Sequence, residues 1–157
     1  MVDNLFPVIR NAVRAVIIRD RALLLLHKDG YPKGERYALP GGAQDTGETL
    51  ESALQRECLE EIGTEVEIIR LAHVADYFKR RDSEPDGHKH LVEFLFLCHV
   101  ADDYRPRSGH HPDRHQVDVV WAPLDRLDEL PLHPASMGRI LRQGLPLEGL
   151  TYLGLIE

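Results

Sequence analysis

Residues 42–64 read GAQDTGETLESALQRECLEEIGT. Thr49 is a favoured helix N-cap, Glu51 suits the positive start of a helix, and Gly63 is a favoured stop, which together predict a helix over Leu50–Ile62. At about 100° per residue, Leu50, Ala53 and Leu54 share one face, and that face continues into Glu57, Glu60 and Glu61. The apolar stripe turns acidic. Folding alone gives no reason for this, because buried carboxylates need partners or water. The three also repel one another at helical spacing, and two sit at the negative end of the helix. Local rules broken together mark a functional site. A hard divalent cation, Mg²⁺ or Mn²⁺, would relieve the repulsion and can bridge carboxylate to phosphate oxygens. Taken alone, the E-x-x-E-E pattern also fits a solvated helix face beside Arg56.

Outward from this helix, residues 37–39 run into Pro40-Gly41-Gly42, a cluster that turns the backbone sharply. Residues 12–18 and 22–27 are apolar runs separated by Arg19-Asp20-Arg21, which predicts a hairpin. Downstream, residues 66–75, 91–100 and 117–122 read as strands, with polar loops at 79–89 and 102–116. Residues 125–130 and 136–143 read as short helices, and 152–156 as a terminal extended segment. Strands and helices alternate irregularly, as in a mixed sheet with helices on its faces.

The chain has 157 residues, the size of one ordinary domain, and 43% hydrophobic and 29% charged residues suit a globular protein. Its longest apolar runs, such as 22–26 and 94–98, are far too short to cross a bilayer. No secretory pattern shows in the first residues, so a cytoplasmic location is expected. Cys58 and Cys98 are too far apart for a metal or redox motif and are expected to be reduced core residues. A net charge of −7 opposes attraction to nucleic acid phosphates. An anionic ligand would therefore need local cations or a metal to reverse the field.

The wider spacing sharpens the reading. Gly42, Glu48, Arg56, Glu57, Glu60, Glu61 and Gly63 stand without gap at the positions of the Nudix box. That box is G, five residues, E, seven residues, R-E, an aliphatic, one residue, E-E, one residue, G and an aliphatic. By this motif the chain resembles the MutT-like Nudix hydrolases. Cys58 and Thr64 stand where the family has aliphatic residues; the first packs as a small hydrophobe and the second can begin the next strand. The resemblance implies a single Nudix domain over residues 1–157, with the box at 42–64, folded as a three-layer α/β/α sandwich around a mixed β-sheet. It implies metal ligation by Glu57, Glu60, Glu61 and the Gly41 carbonyl. Glu48 resembles the first glutamate of the box, and Arg56 the arginine that holds a catalytic glutamate by charge-assisted hydrogen bonds. Glu48, Arg56, Glu57, Glu60 and Glu61 are thus the expected catalytic set, with Mg²⁺ or Mn²⁺ as cofactor.

The reaction implied is attack of water on one phosphorus of a diphosphate, with Glu61 or Glu57 the first choices of general base and Glu93, Asp113 and Asp118 weaker ones. Substrate contacts are expected from Arg14, Tyr37, Arg80 and Glu93. Arg14 sits inside an apolar strand, Arg80 belongs to the basic run 79–81, and Glu93 lies within a strand. Trp121 reads as core. His88, His90, His110, His111 and His115 match no zinc spacing. ADP-ribose or a related nucleotide sugar is the first substrate expected, with nucleoside triphosphates and dinucleoside polyphosphates next. A non-catalytic nucleotide-binding regulator is the rival from another class, and an RNA 5′-end hydrolase is disfavoured by the acidic charge. The resemblance also leaves room for a homodimer.

Overall fold

The computed structural model describes residues 5–81, 86–143 and 151–157. The chain opens with strand β1 (Leu5–Arg19) and strand β2 (Ala22–Tyr31). They are joined through Asp20 and Arg21, both at positive φ (50° and 61°). This is the two-residue turn whose twist matches paired strands, and it sets Ile18 opposite Leu23 and Arg19 opposite Ala22. Beyond that corner the strands part. β1 pairs antiparallel with β4 (Gly41–Ala43) and parallel with β6 (His88–His99), while β2 pairs with β3 (Gly34–Ala38) and β7 (Gln116–Pro123). β6 also pairs with β5 (Glu67–Arg80), and β5 with the edge strand β8 (Thr151–Ile156).

The central strands are buried on both faces, so their sequences are continuous apolar runs rather than alternating ones. In Leu23–Leu24–Leu25–Leu26, Leu24 and Leu26 join Val13, Ala15, Ile17, Phe96 and Cys98 on one side. There they meet Ala53, Leu54, Cys58 and Ile62 of the helix α1 (Leu50–Ile62). Leu23 and Leu25 face the other way with Val16 and Leu95, against Leu127 of a 3-10 turn (Leu124–Glu129) and Met137 and Leu141 of α2 (Met137–Arg142). Helix, mixed sheet and helix thus form the expected α/β/α layers. Each fully buried leucine or isoleucine in these contacts contributes roughly 1.5–3 kcal/mol. Cys58 and Cys98 are free and buried, with burial raising both thiols, Cys98 to about 12. Among the described residues no helix is long and apolar enough to cross a membrane.

The helix is bounded as its sequence predicts. Thr49 accepts from the Ser52 N–H, and Gly63 at φ 71° donates its N–H to the Cys58 carbonyl. Between 79 and 89 the structure differs from the expected loop. β5 runs on to Arg80 and β6 starts at His88, with Lys79 opposite Lys89. The connection is 81–87, of which 82–85 lie outside the described residues. The charged residues obscured the strand, since a strand facing a polar cleft shows no apolar alternation.

Candidate active site

β4 lies on β1 through Ala12 opposite Ala43, Val13 opposite Gly42 and Arg14 opposite Gly41. The approach is so close that a Cβ on Gly41, whose φ is 138°, would overlap the Val13 carbonyl oxygen. Only glycine fits there. Gly42 is confined from the other side, where a Cβ would overlap the Glu57 carboxylate. The Gly41 N–H donates to Glu61 Oε2 at 2.9 Å. Two bare glycines therefore let Glu57 and Glu61 reach the main chain of β4. Glu61 is 3% exposed, and burial pushes it up to about 8 against the pull of the Gly41 N–H. Burial also raises Glu57, opposed by Arg56.

Arg56 ties the acidic face together. Its Nε and Nη2 donate to Glu48 Oε2 and Oε1 at 2.8 and 2.9 Å. Nη1 donates to Glu57 at 3.1 Å and Glu60 at 3.4 Å, and Nη2 also reaches the Ala43 carbonyl at 3.0 Å. The two-pronged contact from Arg56, helped by the Asp45 N–H, holds the Glu48 carboxyl down at about 2. The negative end of the helix is answered by the segment before β7. Glu60 O accepts from His111 N, Glu61 O from Gly109 N and the Gln116 side chain, and Ile62 O from Tyr104 OH. Carbonyls that would repel the last two glutamates are thus engaged by donors.

Beside Glu57 and Glu61 opens a cleft of 310 Å³ on the sheet face that carries Arg14. Its lining takes Arg10 and Arg14 from β1, Lys28 from β2, Arg36 from β3, Lys79 from β5 and Lys89 from β6. Against these stand Glu57, Glu61, Glu93 and Asp113, so cations outnumber carboxylates in a chain whose net charge is −7. Arg14 Nε pairs with Glu93 Oε2 at 2.9 Å and its Nη1 donates to the Gly41 carbonyl at 2.9 Å. Lys28 pairs with Asp113. Tyr31 and Tyr77 bring aromatic faces, with Arg36 Cζ 3.7 Å from the Tyr31 ring centroid.

The acidic end fits a hard cation. Glu57, Glu60, Glu61 and the Gly41 carbonyl are all oxygen donors, and that carbonyl keeps a second lone pair beside Arg14. Bare Gly42 is what gives the Glu57 carboxylate its place. Such a set suits Mg²⁺ or Mn²⁺ over softer metals. Among the described residues no three His, Cys, Asp or Glu side chains are gathered into a ready-made ion cage. Glu60 is turned towards Arg56.

The NUDIX domain family matches residues 8–144, a span holding the acidic helix and every residue that lines the cleft. The chain belongs to the NUDIX domain family. It is 29% identical over 137 residues to the NAD-capped RNA hydrolase NudC of Chromobacterium violaceum, covering 87% of this chain and 46% of that one. It is 34% identical over 89 residues to the ADP-ribose pyrophosphatase of Methanocaldococcus jannaschii, covering 57% of this chain and 50% of that one. The chain thus spans about half the length of these two relatives. Among solved structures, a MutT NUDIX hydrolase from Burkholderia pseudomallei superposes with TM-score 0.63 at 30% identity, over 83% of this chain and 95% of that one.

Within this Nudix fold the residues singled out from sequence separate. Gly41, Glu57, Glu61, Arg14 and Glu93 line the cleft, while Glu48 lies outside its lining as the anchor of Arg56. Tyr37 and Arg80 do not line it. Tyr37 stacks on His27 with ring centroids 4.7 Å apart. Arg80 is exposed, one residue out of phase with Lys79. Successive strand side chains point to opposite faces, and the sequence did not fix which of Arg36 or Tyr37, Lys79 or Arg80, would turn inward. Asp118 is exposed on β7 outside the cleft, while Trp121 packs against the core under Arg19. His90 pairs with Asp76, and His115 tilts against Tyr31. Arg10, Lys28, Tyr31, Arg36, Lys79 and Lys89 also line the cleft; of these only Lys79 and Lys89 were hinted at, by the charged stretch 79–89.

Proposed function

We propose that this Nudix protein is a divalent-metal-dependent pyrophosphohydrolase acting on a nucleoside diphosphate joined to a second moiety, with ADP-ribose or a related nucleotide sugar as its substrate. The observation that carries this is the pairing of two carboxylates set against β4, Glu61 bonded to the Gly41 N–H and Glu57 beside bare Gly42, with a cation-rich cleft in an otherwise acidic chain. A phosphoanhydride is a ligand that uses both halves, the carboxylates through a metal and the cations directly. The names of the ADP-ribose pyrophosphatase and NAD-capped RNA hydrolase relatives support an adenine nucleotide joined through its diphosphate.

Glu57 and Glu61 would hold the ion, with the Gly41 carbonyl and with Glu60 in support. When bound, it lowers the pKa of water and neutralises charge on phosphate oxygens. Arg56 keeps Glu57 and Glu60 oriented and is itself fixed by Glu48. Glu61 or Glu57 takes the proton of the attacking water, and the neighbouring cations stabilise the negative charge on the departing phosphate. Tyr31 and Tyr77 offer faces on which a base can stack. The products are a nucleoside monophosphate and a second phosphorylated fragment.

A panel of ADP-ribose, other nucleotide sugars, nucleoside triphosphates and dinucleoside polyphosphates, each with Mg²⁺, tests the reading. The highest kcat/KM should fall on ADP-ribose or a nucleotide sugar. A triphosphate or dinucleoside polyphosphate at the top would replace the substrate assignment, and complete inertness would favour a nucleotide-binding regulator.

A further inference from the structure

The Lys79 side chain is half-buried in the cleft, and its ammonium makes no ion pair or hydrogen bond with a described residue. Its surroundings make that unusual. The nearest acids are already engaged, Glu93 by Arg14 and Asp113 by Lys28. Across the β5–β6 ladder Lys79 stands directly opposite Lys89, which also lines the cleft. Like charges directly opposed on a sheet destabilise it, and partly burying an unpaired ammonium adds a desolvation penalty. Among the described residues no unengaged acid offsets either cost. Two internally neutral ion pairs flanking a surplus cation leave a net positive point within the cleft.

We propose that Lys79 is the protein's own anchor for the substrate diphosphate, its ammonium donating to phosphate oxygens that the acidic helix does not reach. The inference rests on the pyrophosphohydrolase reading for its ligand and adds the residue that grips it. The charged groups that line the cleft with Lys79 are Arg10 and Arg14 from β1, Lys28 from β2, Arg36 from β3, Glu57 and Glu61 from α1, Lys89 and Glu93 from β6, and Asp113 from the segment before β7. Burial, then the charges of Arg14 and Lys28, bring Lys79 down to about 8 despite Glu93 and Asp113. Its charge is therefore present at pH 7 and lost as pH rises past about 8, so its grip should weaken over the same range.

The test is calorimetric binding of ADP-ribose in excess chelator, where turnover is suppressed, at pH 7 and pH 9.5. The parent is compared with Lys79→Met and Lys79→Arg. A charge-assisted hydrogen bond lost to Lys79→Met should weaken binding at pH 7 by about 10- to 100-fold. Lys79→Arg should bind near the parent at pH 7 and lose distinctly less affinity at pH 9.5, since arginine keeps its charge. Glu61 titrates in both proteins, so their difference reads Lys79. Methionine binding within twofold of the parent, equal pH dependence of parent and arginine variant, or no parental binding at pH 7 would each overturn the proposal. Should Lys79→Met fail to fold, the arginine comparison still decides. Binding with the expected pH dependence but no hydrolysis after Mg²⁺ is added would keep the anchor and remove the substrate reading.

Discussion

Glu61 combines burial, a titratable carboxyl and a main-chain hydrogen bond in one side chain. It is a buried carboxyl at the end of a helix, with a backbone N–H for a partner and a pKa of about 8. The unfolded chain gives up this proton near the ordinary value of 4.5 while the native state keeps it to about 8. Between those values the native state binds more protons, so metal-free stability should fall as pH rises. Glu61→Gln should flatten that fall, and at pH 8 the metal-free variant should be the more stable by at least about 1 kcal/mol, the worth of a single pKa unit. Its turnover should drop by orders of magnitude, because an amide is a poor ligand for a hard cation and no base. Denaturant melts at pH 5 and pH 8, beside steady-state rates, check both; parental turnover would remove Glu61 from the site. This residue was legible in the sequence because its carboxylate falls where an apolar stripe should continue. Arg36 and Tyr31 were not, because a two-residue alternation shows that neighbours diverge without showing which one faces the ligand.

At the scale of the elements, the short strand β4 and the helix α1 act as one device. Gly41→Ala should be structurally severe, since its Cβ would strike the rigid Val13 backbone, and a loss of roughly 3 kcal/mol or more is expected from such mechanisms. Gly42→Ala should differ in kind. Its Cβ would strike the end of the Glu57 side chain, which can swing aside, so the fold should survive with turnover lost. Melting curves and rates on the pair separate these outcomes; equal stability of the two would contradict the close β1–β4 packing. The far end of α1 gives a third prediction. Tyr104→Phe removes the donor to the Ile62 carbonyl and should cost about 0.5–1.5 kcal/mol in a denaturant melt while leaving Mg²⁺-dependent turnover near the parent. Helix limits were readable from Thr49 and Gly63, whereas the donors that quiet the helix end come from 104–116, a stretch without periodicity whose path only the tertiary structure defines.

For the whole molecule, the decisive quantity is the contrast between a chain of net charge −7 and a cleft where cations outnumber carboxylates. Composition alone pointed away from polyanions, and it could not show a local reversal assembled from β1, β2, β3, β5 and β6. The layers themselves were legible, since apolar runs at 12–18 and 22–27 and an amphipathic helix demand a sheet covered on its faces. A metal that binds only the folded protein should raise its melting temperature with concentration, and chelator should abolish that rise along with turnover. The most direct measurement is the product of a single reaction: ADP-ribose incubated with the protein in ¹⁸O-water, with Mg²⁺ or with excess chelator, and read by mass spectrometry. AMP and a ribose phosphate, one of them carrying a single heavy oxygen, are expected with Mg²⁺ and neither product with chelator. Undiminished product in a verified metal-free sample, or cleavage that leaves the diphosphate intact, would contradict metal-dependent hydrolysis of the diphosphate.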